Sequence, residues 1–456
     1  MRRWLLALSA ALAAMLACVA PSGAPTETVA APVVENGTEG MPATVVWVSV
    51  SGLTPDRYLR DDADMPWLGA IARVGVAAER VESITPSATY PVHATLMTGL
   101  GPDMHGIHAD RRVGEHGVRK ELHRHASLMR AVPLWQRVVE DGGVVVALDW
   151  PGTQGADIPV LLPDIGPGSG AGDAWNMTAA REGTPELASV VRAAATASRP
   201  GAERDALVSR IACAALAAEP APRLVLLRLR GAERSLAGSG PRSAAAGSAF
   251  EAVDGHLGDL LACSANVAGG VALIASGDVA YEPTHTMLRP NKVLSEAGLL
   301  ERNAPWQALV RSNGGSAFVY ADGERAALEA RRALGKAARE TGAFRVIGAD
   351  EMIARSADPE AWFGLDAEPG FVFVDDGDGP LESPARMLGA GGGLDAGLRP
   401  TAGIVLWGRG VRSGVRVPVF SLLDAGPTAA ALLGVSLDPA KGRPRLGLLR
   451  RGSRPE

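Results

Sequence analysis

The chain runs to 456 residues, enough to bury one large core or two medium ones, and is 47% hydrophobic and 21% charged. A formal net charge of -5 argues for neither a nucleic-acid surface nor an acidic tail, so no nucleic-acid partner is expected. Its 55 glycines and 32 prolines follow no period, which excludes a fibrous repeat and points to a loop-rich α/β chain.

Residues 1–18 read as a targeting segment. Arg2 and Arg3 give a basic start, and Trp4 to Ala17 form an apolar run too short for a membrane span. The run ends in Met15-Leu16-Ala17-Cys18, which resembles a bacterial lipoprotein signal with Cys18 as the lipidated residue. Ordinary secretory cleavage nearby is the alternative. Either way the protein is expected outside the cytoplasm, periplasmic or held to the membrane by a lipid anchor. Residues 19–41, rich in Pro, Ala, Thr and Gly, read as a flexible tether.

Beyond the tether, continuous apolar runs alternate with helix-like stretches. The runs are Thr44–Val50, Gly143–Leu148, Arg223–Leu229, Gly270–Ala275 and Ala402–Trp407. Lacking polar alternation, they suit strands covered on both faces. Helices are expected over Met65–Val74, Leu128–Glu140, Glu186–Ala197, Asp205–Ala218 and Phe250–Leu261. The pattern predicts an open, mostly parallel sheet flanked by helices, with a cleft at the strand carboxyl ends. We assign 42–288 to the first part of this core and 401–446, with a helix at Asp424–Leu433, to its closing part. Residues 289–400 break the rhythm: strands at Phe318–Ala321, Phe344–Ile347 and Phe371–Val374 surround a charged helix at Gly323–Thr341, enough for a small inserted αβ subdomain. Residues 447–456 form a basic tail. Cys213 and Cys263 lie in Ala/Leu-rich helical text and read as two small buried side chains, with a disulfide as the alternative in an oxidising compartment.

A specific resemblance emerges at Pro86-Ser87-Ala88-Thr89-Tyr90-Pro91-Val92-His93-Ala94-Thr95-Leu96-Met97-Thr98-Gly99, followed by Pro102-Asp103-Met104-His105-Gly106-Ile107. This segment resembles the nucleotide pyrophosphatase/phosphodiesterase (type I phosphodiesterase) branch of the alkaline phosphatase superfamily. Trp150-Pro151-Gly152 and Asp424-Ala425-Gly426-Pro427-Thr428 add weaker matches, so that the likeness spans about Thr44 to Leu446. The resemblance implies an alkaline-phosphatase-like three-layer α/β/α sandwich. It also implies a threonine nucleophile at a helix start, here Thr89, and two zinc ions to ionise its hydroxyl and steady the leaving oxygen.

Six Asp/His side chains hold that metal pair in the family, and each can be followed onto this chain. The first aspartate matches Ser51, in Val48-Ser49-Val50-Ser51-Gly52. The Asp-x-x-x-His pair matches Glu233 and Ala237, the Asp-His of a Ser-Asp-His-Gly motif matches Gly277 and Asp278, and a final His matches Gly391. A phosphate-contacting asparagine matches Asp110, whose charge would repel a phosphate oxygen. Two carboxylates cannot hold two catalytic zinc ions, which need three or four ligands each. No metal is therefore expected, and the leading expectation is a pseudoenzyme with a binding or scaffolding role. An active hydrolase using Thr89 with a reorganised metal site is the alternative.

Other readings bear on single residues. His105 and His108, within a histidine-rich stretch that also holds His93, His116, His123 and His125, could form a surrogate ligand pair; packed or looped histidines are the plainer reading. His123 and His125 read as a solvated segment. Thr89 could serve only to cap its helix, or the helix start could still bind a phosphate-containing anion without metal. Trp150 is a candidate lining of the ligand cleft, more as packing beneath it than as a stacking surface. Arg228, Arg230 and Arg234 could fill vacated cation space by pairing with Glu233 or Asp278.

Overall fold

The computed structural model describes residues 40–164, 183–184, 187, 202–301, 304–394 and 399–450. The targeting segment with Cys18, nearly all of the tether, almost all of the helix expected at Glu186–Ala197 and the end of the basic tail lie outside the described residues.

The core elements in chain order are β1 (Thr44–Val50), α1 (Pro66–Val74), β2 (Val76–Ala78), α2 (Thr89–Thr98), β3 (Val145–Leu148), β4 (Val160–Leu162), α3 (Ala202–Leu216), β5 (Leu224–Leu229), α4 (Glu233–Ser239), α5 (Ala244–Ser264) and β6 (Val271–Gly277). A second group follows: β7 (Ala308–Ser312), β8 (Ser316–Ala321), α6 (Glu324–Thr341), β9 (Phe344–Ile347) and β10 (Phe363–Ala367). The chain returns through β11 (Ile404–Gly408), β12 (Val415–Val417) and α7 (Ala425–Leu433).

The main sheet has eight strands in the order β12-β2-β11-β6-β1-β5-β3-β4. Only β11 runs against its neighbours. Every residue of β1, β5 and β6 is buried, as apolar runs covered on both faces require. Along β1, Val46, Val48 and Val50 point to one apolar cluster and Val45 and Trp47 to the other. The first cluster is closed by α1, α3 and α5 through Leu68, Ile211 and Leu257; the second by α2 and α7 through Leu96 and Leu432. This is the expected three-layer sandwich. Each fully buried aliphatic side chain in it contributes roughly 1.5–3 kcal/mol. Strands β7, β8, β10 and β9 pair antiparallel in that order, with α6 packed against them around Ala330 and Leu334.

Two local expectations need correction. The stretch Leu128–Glu140 is not one helix: a short 3-10 turn covers Ala126–Leu128 and the helix proper begins at Leu134, after an extended Pro133. Proline bars the helical conformation from the residue before it and lacks an N–H to continue the ladder. Cys213 and Cys263 are not isolated buried thiols but a disulfide joining α3 to α5. The two helices lie side by side on one face of the sheet and bring the Cα atoms to 5.6 Å, within bridging range.

The in-register pairing of β1 with β5 and β6 sets Val50 beside Leu229 and Gly277. The loops that leave these three strand ends therefore share one place. That is where the chemistry-bearing residues gather.

Candidate active site

Ser51 follows directly on β1, Arg228 lies near the end of β5, and Asp278 follows on β6. All three are buried, at 1%, 2% and 1% exposure. The Asp278 carboxylate is fully engaged. Oδ2 accepts from the Arg228 guanidinium at 2.8 Å and from the Ser51 hydroxyl at 3.3 Å; Oδ1 accepts from the N–H groups of Gly52 at 3.1 Å and Val279 at 2.6 Å. Burial alone would raise the Asp278 pKa, but the Arg228 charge leads the opposing effects and holds it below the usual carboxylate value. Burial likewise works against the Arg228 charge, and Asp278, then Glu233 and Asp164, outweigh it and raise its pKa.

Glu233 opens α4 and takes the Arg230 Nε–H at 2.8 Å. The two arginines thus pair as the vacated-cation reading expects, while Arg234 is exposed on α4 and takes no part. A wider network was not anticipated from sequence. Asp164 accepts from the Tyr90 hydroxyl at 2.6 Å and from Arg230 at 3.3 Å, and Arg204 bridges Asp149 and Asp164. Asp205 accepts the N–H groups of Arg230 and Gly231 at 3.0 and 2.7 Å. Asp149 is held in the left-handed region at φ 58°, which non-glycine residues rarely adopt, so the bend after β3 is strained to place this carboxylate.

The remaining metal-ligand positions carry no ligand, and two of them have no room for one. A Cβ at Gly277 would come 2.3 Å from the Leu53 carbonyl oxygen, and a Cβ at Gly391 would come 2.1 Å from Val279 Cγ1. Ala237 lies on α4, where its carbonyl accepts the Leu388 N–H at 2.8 Å. Among the described residues no three His, Cys, Asp or Glu side chains are grouped to hold a metal ion. The zinc pair that the resemblance implies does not fit this set. Asp278 already has a guanidinium fixed against it, and Glu233 stands with Ser51, Ala237 and two glycines that cannot complete a tetrahedral site.

Thr89 is the first helical residue of α2, one position past the N-cap, Ala88. The cap reading fails on this point, because capping needs the side chain one residue earlier. The Thr89 hydroxyl is half-buried and has no hydrogen-bond partner among the described residues. Its backbone is fixed by His93: the Thr89 carbonyl accepts from Nδ1–H at 2.7 Å, which leaves Nε2 to accept the Ser49 hydroxyl at 2.8 Å. Burial, then the charge of Arg228, lowers the His93 pKa to about 4, so the ring is neutral. Asp110 Oδ1 accepts the Tyr90 N–H at 2.9 Å, and burial, opposed by that bond, raises its pKa to about 6.

Trp150 takes the packing role and offers no stacking surface: it is completely buried, edge-on to His93 and Trp47 at 5.0 and 5.9 Å between ring centres. The surrogate ligand pair also fails. His105 accepts the Ile107 N–H on Nδ1 and turns Nε2 to Thr95, whereas His108 Nδ1 faces Asp358 at 3.3 Å. His123 is buried rather than solvated, hydrogen-bonded to the Ala109 carbonyl at 2.6 Å, and only His125 of that pair is exposed.

The family model of type I phosphodiesterase/nucleotide pyrophosphatase matches residues 45–362. The chain belongs to that family. An ectonucleotide pyrophosphatase/phosphodiesterase of Caenorhabditis elegans is 36% identical over 106 residues, covering 22% of this chain and 14% of that protein. The bis(5'-adenosyl)-triphosphatase ENPP4 of Bos taurus is 29% identical over 131 residues, 27% of this chain and 28% of its own length. The match thus spans less than a third of either relative. Murine ENPP5, solved in an inactive form in complex with AMP, superposes with a TM-score of 0.65 at 18% identity, over 89% of this chain and all of that one. The likeness to human ENPP5 is the same in TM-score and coverage at 17% identity. These structures share their fold with this chain.

Proposed function

We propose that this phosphodiesterase-family protein is an exported pseudoenzyme that has lost two-metal hydrolysis and keeps a binding or scaffolding role at the cell envelope, tethered through Cys18. One observation carries the reading: the buried Arg228 guanidinium, 2.8 Å from Asp278, provides as a fixed side chain the positive charge that a metal ion would bring. Without a metal or a free base beside it, the Thr89 hydroxyl stays a weak nucleophile at neutral pH. The test is turnover of bis-(p-nitrophenyl) phosphate with and without added zinc, in the native protein and in Thr89→Ala. The reading expects both proteins to sit at the same background rate.

The unpartnered Thr89 hydroxyl favours the second reading, a surviving hydrolase with a reorganised metal site. Zinc-dependent turnover abolished by Thr89→Ala would establish it and overturn the first. For this second reading AMP, which the murine neighbour's inactive form binds, and a dinucleoside triphosphate, for which the bovine relative is named, are the molecules to try first as substrates. The tether is tested separately: Cys18→Ala is expected to move the protein from the membrane to the soluble exported fraction.

A further inference from the structure

We infer that Asp110 is a built-in anion that occupies the start of α2 and makes the Thr89 pocket reject phosphate-bearing molecules. The inference deepens the reading of a metal-free pocket and rests on it. The first turn of α2 has few amides to offer a ligand. The Tyr90 N–H is taken by Asp110 Oδ1 at 2.9 Å, Pro91 has no N–H, and the Val92 N–H returns to the Ala88 carbonyl at 3.0 Å. An oxyanion approaching Thr89 would find the Tyr90 amide already taken and would meet the like charge of Asp110 there.

The surroundings do not offset that charge. Three guanidinium groups (Arg204, Arg228 and Arg230) share the neighbourhood with six carboxylates: Asp110, Asp149, Asp164, Asp205, Glu233 and Asp278. A second, independent feature lies close by, an unsatisfied buried donor. Arg228 is 2% exposed, its Nε–H has no hydrogen-bond partner, and its charge acts on Asp110, on Tyr90 and on His93. A buried guanidinium N–H without an acceptor is costly. A phosphate oxygen admitted beside Thr89 could satisfy it.

The test uses the full-length protein in detergent, with inorganic phosphate and orthovanadate as probes, followed by calorimetry at neutral pH. In Asp110→Asn the side-chain oxygen can still accept the Tyr90 N–H while the charge is gone. We expect no measurable binding to the native protein and at least about tenfold tighter binding to the variant, the size of effect that removing a close like charge produces. Adding Arg228→Met to Asp110→Asn should abolish the gain, which places it in this pocket. Asp110→Ser serves as a second uncharged variant. The inference falls if neither folded variant binds phosphate better than the native protein, if the gain survives Arg228→Met, or if both variants fail to fold, which would make the carboxylate a structural cap. Tightly bound zinc in the native protein would instead overturn the metal-free reading, whatever the variants do.

Discussion

The Arg228 guanidinium lies 2.8 Å from the Asp278 carboxylate, and both side chains are almost wholly buried at the carboxyl end of the main sheet. Neither charge could stay there alone. Breaking a buried pair by removing one partner strands the other, and the usual loss is about 3–5 kcal/mol. Arg228→Met is therefore expected to lower unfolding stability by about that amount in urea. Arg228→Met with Asp278→Asn should recover most of it, since no charge is then left unpaired. A double variant as unstable as the single one would contradict the assignment.

Restoring the family's ligands one at a time should not rebuild a metal site. At Gly277 and Gly391 even a methyl group meets the Leu53 carbonyl or the Val279 side chain. Gly277→Ala and Gly391→Ala are each expected to cost about 1–3 kcal/mol, the range for overpacking. Gly391→His should cost more and bring no zinc uptake. Thermal melts and zinc titration check both points, and an unperturbed Gly277→Ala would show that the loop can move.

The disulfide between Cys213 and Cys263 closes a 50-residue separation. Loop-closure entropy assigns such a bridge about 4 kcal/mol. Reduction, or Cys213→Ser paired with Cys263→Ser, should lower the melting temperature clearly. Thiol titration of the unfolded protein, with Cys18 replaced, should find no free thiol unless a reductant is added.

Asp254 predicts a pH dependence with a definite sign. It sits on α5, is buried, and accepts the Trp67 and Leu68 N–H groups at 2.7 and 2.9 Å, closing the start of α1 from outside. Burial, opposed by these bonds, raises its pKa to about 6 from 3.8. The folded state thus holds its proton more tightly than the unfolded state. The group's contribution is greatest below 3.8 and is lost as pH rises through 6. The cost of Asp254→Asn, measured by urea unfolding, should grow by about 1.4 kcal/mol per unit as pH falls between those values. A cost that shrinks on acidification would reverse the argument.

Much of the scaffold was legible because burial on both faces writes itself as uninterrupted apolar text. Thr44–Val50 and Phe344–Ile347 form strands with the expected boundaries. The residue types at the family's ligand positions were legible too, because Ser51, Ala237 and Gly391 are visible as letters inside motifs. What a linear reading could not supply was the packing at those positions, such as the Leu53 carbonyl against Gly277 and the Val279 side chain against Gly391. Nor could it show the network of Asp149, Asp164, Arg204 and Tyr90, whose members come from separate loops and helices. The cysteine pairing was hidden by the same distance in sequence. Trp150 packs, as expected, but its partner Trp47 could not be foreseen, because that residue reaches the same face from a strand about a hundred residues earlier. That arginines would pair with Glu233 or Asp278 was foreseeable from charge alone, as two leftover carboxylates and three arginines fall near the same strand ends; which arginine meets which was not.

The proposed function requires that the residues beside Thr89 hold no divalent metal. The most direct measurement is the zinc content of the purified protein after equilibration with zinc and removal of weakly held ions, by elemental mass spectrometry. We predict well under one zinc per chain, unchanged in Thr89→Ala and in Asp278→Asn. Two tightly bound zinc ions per chain, released by either substitution, would contradict it.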